Sequence, residues 1–237
     1  LHMLRDFVGD SAFKKSLNHF LKTYQHKPVE ATQLRLSFEE VTGLDLNWFF
    51  NQWYYGSGHP KMLFRYVFDD AAGKAHVITT QSQKEQHTFR LPVKVDVYYG
   101  DKKTRYLRWI NKRTDTLTFD YTMRPTLINV DPERVLLADI TDNKSEAQMI
   151  EQWKQGSTYL NRREAITFFA KNTMPEIAKG LTDKYAGIRL YTIQQIEKTP
   201  YKEDKVVLST LEDMAATDPD KLVQAEALKY LAKLKNP

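Results

Sequence analysis

Six histidines and 30 acidic residues are the side chains here that can hold a metal or carry a proton, and cysteine is absent. The histidines are His2, His19, His26, His59, His76 and His87. None is followed four residues later by another, so the HExxH pair that sets two imidazoles and a basic glutamate on one helical face does not occur. No Walker loop, GxGxxG or GxSxG occurs either. Without cysteine there are no disulfides, no thiol nucleophile and no thiolate zinc site. Glu39 and Glu40 are adjacent on a predicted helix and point apart, and Asp69-Asp70 reads as an exposed turn. The chain therefore assigns no catalytic residue and no metal ligand, and its binding residues stay unassigned.

The most unusual stretch is FFNQWYYGSGHP at 49–60. Three readings compete for it: a ligand-stacking platform, a terminal helix packed in a core, or a metal site around His59. The core reading is favoured, with His59 a surface or hydrogen-bonded histidine. Gly56 and Gly58 turn the chain, and Pro60 opens a strand where a missing amide costs least.

These residues must be positioned by elements, and the chain has three textures. Residues 1–59 read as helices: Asp10 or Ser11 caps one carrying Phe13, Leu17, Phe20 and Tyr24, and Thr32 caps a second that stops at Gly43. Asp45 caps a third with Phe49, Phe50 and Trp53. Residues 60–141 change to period two, most clearly at Phe89, Leu91, Val93, Val95, Val97 and Tyr99, with Arg90, Lys94 and Asp96 on the wet face. Six or seven short strands here predict a β-sandwich. Residues 142–237 return to helix with an internal repeat: RREAITFF (162–169), RLYTIQQI (189–196) and QAEALKYL (224–231) align. Position one is Arg162, Arg189 or Gln224. Position four is small (Ala165, Thr192, Ala227) and position eight bulky (Phe169, Ile196, Leu231). Paired helices at such spacing predict an α-α superhelix of the HEAT/ARM kind. The expected fold class is multidomain α+β: a helical segment, a β-sandwich, then the superhelix.

Net charge is +5, and its excess falls in the middle third, around Lys102, Lys103, Arg105, Arg108, Lys112 and Arg113. Asp96, Asp101 and Asp115 are interleaved and no nucleic-acid motif accompanies the patch, so a solvated hairpin face is expected and no nucleic acid. No run of 18 apolar residues exists, so no membrane-spanning helix is expected. The opening Leu-His-Met-Leu-Arg-Asp has no basic leader and reads as a chain opened partway through a helix. The lack of cysteine inclines the compartment toward export, periplasmic or extracellular in a bacterium.

LHMLRDFVGDSAFKKSLNHFLKTY at 1–24, followed by FFNQWYYGSGHP, resembles the M1 family of zinc aminopeptidases at Leu1, Met3, Leu4, Gly9, Asp10, Phe13, Leu17, Tyr24, Trp53, Gly58 and Pro60. FRLPVKVDV (89–97) is similar to a strand of that family's sandwich, and INVDPERVLL (128–137) to the DP-containing strand that closes it. The resemblance implies a C-terminal portion of such an enzyme. Residues 1–59 would be the last helices of a truncated thermolysin-like catalytic domain, 60–141 the β-sandwich domain and 142–237 the HEAT-like repeat domain. The family's HExxH motif, its GxMEN-type loop and its oxyanion tyrosine would lie upstream. Zinc would then belong to the full-length protein and not to this chain, which alone would be inactive. The parent would act on peptide substrates, and a missing N-terminal catalytic region would pack on residues 1–59. The alternative is a non-catalytic M1-like scaffold or a protein-interaction module.

Overall fold

The computed structural model describes residues 1–84 and 87–235. Among the described residues the fold is mixed helix and sheet, with two sheets. Its internal contacts divide into two compact units. The first comprises Leu1–Asp96, Thr104–Pro125 and Arg134–Asn143; the second comprises Val97–Lys103, Thr126–Glu133 and the chain from Lys144 onward.

The first unit opens with helices α1 (His2–Val8), α2 (Asp10–Thr23), α3 (Ala31–Thr42) and α4 (Asn47–Phe50), the last running into a π-helical turn, Asn51–Tyr55. Leu4, Phe38 and Leu46 are fully buried at their centre, with Phe49 and Phe50 beside them. Gly9 separates α1 from α2 at φ 84° and ψ 154°, a conformation essentially restricted to glycine. Asp10 is the first residue of α2 rather than its cap, and its carboxylate takes a fork from Arg5 at 2.5 and 2.8 Å. Helix α3 starts one residue before Thr32: Glu30 is its cap, and the Glu30 amide donates to Gln33 Oε1 at 2.9 Å. Gly43 ends α3 in the left-handed conformation, φ 69°, where the missing Cβ removes the steric penalty. Asp45 Oδ1 accepts from the Asn47 amide at 2.9 Å and from Asn47 Nδ2 at 3.0 Å, and these bonds hold its carboxyl below the usual range.

The same unit holds the sheet β5-β2-β1-β7, built from β1 (Lys61–Asp69), β2 (Lys74–Gln81), β5 (Thr114–Asp120) and β7 (Asp139–Asp142). β1 and β2 pair antiparallel with Phe64 opposite Thr79, β2 and β5 with Val77 opposite Leu117, and β7 lies parallel to β1. Alternate residues Met62, Phe64, Ala75, Val77, Leu117 and Phe119 are buried. Gln81, at the end of β2 and fully buried, acts as a strand partner for the backbone of Phe89. Its Nε2 donates to the Phe89 carbonyl at 2.7 Å and its Oε1 accepts from the Phe89 amide at 2.8 Å. Gln81→Leu leaves both backbone groups buried without these partners, so the first unit should lose about 2 kcal/mol, read from its urea midpoint.

The second sheet has the order β4-β3-β6, with β3 at Leu91–Tyr99, β4 at Lys102–Ile110 and β6 at Leu127–Val130. β3 and β4 each contribute residues to both units. Leu91, Val93, Val95 and Val97 are buried as their spacing predicts, but Asp96 is not on a wet face. It is 0% exposed, and the Arg105 guanidinium forks onto it at 2.6 and 2.7 Å. A buried carboxylate needs such a partner, and period-two patterning does not register it. The strand β7 that closes the first sheet spans only Asp139–Asp142.

The second unit contains β6 and the helices α5 (Glu146–Gln155), α6 (Tyr159–Lys171), α7 (Ala186–Ile196), α8 (Lys205–Thr217) and α9 (Lys221–Lys235), with 3-10 helices at Pro175–Thr182 and Pro200–Glu203. Ser145 caps α5 in a reciprocal box with Gln148. The small repeat positions Ala165, Thr192 and Ala227 are each 0% exposed, as are the bulky Phe169 and Ile196. Position one builds a polar ladder. Arg162 Nη1 donates to the Gly156 carbonyl at 3.0 Å, and its Nε lies 2.9 Å from Asp183 Oδ2, an ion contact off the hydrogen-bonding direction. Arg189 Nη1 donates to the Asp183 carbonyl at 2.9 Å, and its Nε and Nη2 fork onto Asp218 at 2.7 and 2.6 Å. Gln224 Nε2 donates to the Asp218 carbonyl at 2.7 Å. Each aspartate also starts the next turn, Asp183 accepting from the Tyr185 amide and Asp218 from the Asp220 amide.

Candidate functional site

The ring-rich stretch is divided by the π-helical turn. Phe49 and Phe50 point into the helical core of the first unit, while Tyr54 and Tyr55 are 64% and 57% exposed. Trp48, Gln52 and Trp53 grip the lead-in to β3. Gln52 Nε2 donates to the Arg90 carbonyl at 3.1 Å, and the Arg90 amide donates to Gln52 Oε1 at 2.6 Å. Trp53 lies 5.2 Å from the Phe89 ring. The Arg90 guanidinium sits 5.2 Å from the centre of Trp48 and 4.5 Å from that of Trp109. Phe7 of α1 meets both indoles edge-on, at 5.5 and 5.9 Å, and the two indoles meet each other at 5.4 Å. A guanidinium over electron-rich ring faces is an electrostatic attraction as well as a packing contact.

Beside this cluster lies a cleft of about 220 Å³, lined by Met3, Asp6 and Phe7 of α1, Phe49, Trp53, residues 91–94, residues 107–109, Val135 and Leu136. Lys94 pairs with Asp6 on its wall, both side chains less than one-third exposed. Arg108 turns its guanidinium over Tyr106 and Phe119, 4.9 and 5.2 Å from the ring centres. The cleft offers ring faces, aliphatic wall and one ion pair, a set suited to recognition. Sequence patterning missed Asp6, Lys94, Arg90 and Trp109 as neighbours. The available signal was Leu107 and Trp109, two apolar residues sharing the strand parity of Lys103 and Arg105 within a basic stretch.

The histidines are dispersed. His59 Nε2 lies 3.1 Å from Asp139 Oδ2 in an exposed pair, His19 Nε2 lies 3.1 Å from Glu40 Oε2, and His76 Nδ1 lies 3.0 Å from Thr118 Oγ1. Among the described residues no group of three or more His, Asp or Glu side chains is placed to hold a metal ion. Of the basic residues of the β4 region, Arg105 sits on Asp96, Arg113 Nη2 donates to the Gln83 carbonyl at 2.5 Å, and Lys103 lies over the Tyr98 ring. Among the described residues no helix is long and apolar enough to cross a membrane.

The model of the peptidase family M1 domain matches residues 1–53, the helices that carry the ring-rich stretch. Aminopeptidase N of Haemophilus influenzae is 26% identical over 104 residues, covering 41% of this chain and 12% of that protein. This chain is related to the M1 aminopeptidases. The crystal structure of Legionella pneumophila aminopeptidase A in complex with aspartic acid has a similar fold, with a TM-score of 0.62 at 13% identity. The likeness covers 99% of this chain and 28% of that one. The chain thus spans less than one-third of the length of either relative. The zinc that the family implies finds no ligand set among the residues described.

Proposed function

We propose that this chain is the C-terminal part of a longer zinc-dependent aminopeptidase that removes N-terminal residues from peptides. In this reading residues 1–59 close a thermolysin-like catalytic domain, 60–141 form a β-sandwich spacer and 142–237 form a HEAT-like repeat that walls the substrate cavity. The observation that carries it is the M1 domain match to residues 1–53. The fold likeness over nearly the whole chain agrees with it. Zinc and its activated water would be supplied upstream, and this chain would contribute packing and enclosure. Leu21, Leu36, Leu44, Tyr54 and Tyr55 are all exposed in the first unit, which suits helices that receive a further layer of protein.

The test is to read and express the coding sequence upstream of Leu1 together with this chain. The expected longer protein carries HExxH with a glutamate about twenty residues further on, binds one zinc per chain and cleaves aminoacyl amides, while residues 1–237 alone do neither. An upstream region with a degenerate zinc motif and no zinc would support the scaffold reading instead. Stoichiometric zinc in the isolated 237-residue chain would overturn the assignment.

A further inference from the structure

We propose that the cleft beside α1 binds a small neutral molecule carrying one aromatic ring, of the size of a substituted phenol or an indole. The cleft is about 220 Å³, and a dry apolar cavity of about 150 Å³ already takes up benzene. Met3, Phe7, Trp53, Leu107, Trp109 and Leu136 offer rings and aliphatic groups to such a ligand. Offset or edge-on contact with the indoles and Phe7 suits a flat ring.

The charges in the lining decide the ligand's own charge. They belong to Asp6, Lys94 and Arg108. Asp6 and Lys94 neutralise each other, and the Arg108 guanidinium is stacked on Tyr106 and Phe119. A carboxylate ligand would have to draw Lys94 away from Asp6, and a cationic ligand would have to draw Asp6 away from Lys94. Either exchange strands one charge in a partly buried position. A cation is also poorly placed on the Trp109 face, because Arg90 already occupies it. A neutral ring leaves the pair intact, and its hydroxyl or ring N–H can donate to Asp6.

The test is a two-dimensional NMR titration of the isotope-labelled 237-residue chain with indole, 4-methylphenol, benzoate and benzylamine. Indole and 4-methylphenol should shift the amides of α1 and of residues 91–94 and 107–109, with affinities at least about tenfold above those of the two charged probes. Leu136→Trp fills the cleft and should abolish the shifts. Leu137→Trp, at a neighbouring side chain that is 62% exposed, should keep them. Leu107→Glu, at a rim position that is 73% exposed and so tolerant of change, should weaken indole at least about fivefold in a folded protein. Lys94→Met should move the preference toward benzylamine, because Asp6 then lacks its cation; a purely structural pair would not change that ranking. The proposal is overturned if indole shifts none of these amides in the folded chain. It is equally overturned if Leu107→Glu binds indole as the parent does, or if benzoate or benzylamine binds as tightly as indole.

Discussion

Replacing Arg189 by methionine should lower the stability of the second unit by about 3–5 kcal/mol, the cost of leaving a buried charge without its partner. Arg189 and Asp218 are 10% and 4% exposed at their side chains and joined by two hydrogen bonds. Methionine keeps the aliphatic stem and removes both, together with the bond to the Asp183 carbonyl. Faster hydrogen exchange in peptides from α7, α8 and α9, with exchange in the first unit unchanged, would report the loss. The double variant Arg189→Met/Asp218→Leu should recover much of it, since an apolar pair avoids the desolvation that the charged pair must offset. A single variant as stable as the parent would show that the pair is not a structural link.

The same pair fixes a pH dependence. Burial alone would push the Asp218 carboxyl up, but the hydrogen bonds from Arg189 and the Asp220 amide, with the Arg189 charge, hold it below the usual carboxylate range. The Arg189 guanidinium is correspondingly raised. A carboxyl depressed in the folded state stabilises fully above its unfolded value of about 4, and that stability is lost as pH falls through the folded value. The second unit should therefore lose stability on acidification below about pH 4, and Asp218→Leu in the double variant should flatten that part of the profile.

The ladder also shows how far sequence reading reaches. Arg162, Arg189 and Gln224 were visible as one repeat position because helical periodicity records the face a residue occupies. Their partners Asp183 and Asp218 were not, because each lies in a connection with no period and looks like an ordinary turn acid. Asp96 failed for a related reason: alternation assigns a polar residue to solvent, and only the placement of Arg105 on the paired strand makes its burial tolerable. The helices of the first unit were legible through Phe13, Leu17, Phe49 and Phe50. The cleft was not, because α1 and residues 91–94 and 107–109 meet only through tertiary packing, and Asp6 with Lys94 carries no local pattern. The caps shifted by a residue or two at Asp10 and Thr32, where several polar side chains in a row compete for the same free amides.

Gly180→Ala should cost the second unit about 3 kcal/mol, the upper part of the range for forcing one extra carbon into a filled core. A Cβ at Gly180 would stand 2.2 Å from Thr192 Oγ1, 2.6 Å from Ile166 Cδ1 and 3.0 Å from Thr192 Cγ2. Ile166 and Thr192 are both fully buried, so neither can swing into solvent. Alanine is otherwise the better residue in a helical segment, so a loss of stability isolates the steric effect. Thr192→Ala removes the two nearest threonine atoms at the cost of a methyl contact and the 2.8 Å bond to the Ile188 carbonyl, about 1–2 kcal/mol. The pair Gly180→Ala/Thr192→Ala should then be more stable than the sum of its parts, because the new methyl takes the space the threonine leaves. Urea unfolding of the four proteins, followed through Trp153, which packs against the core of the second unit, with the other tryptophans replaced in every variant, measures that coupling. Simple additivity would mean that the 3-10 helix at Pro175–Thr182 moves away from α7 to admit the new carbon. The close approach would then be a consequence of glycine rather than a requirement of the fold.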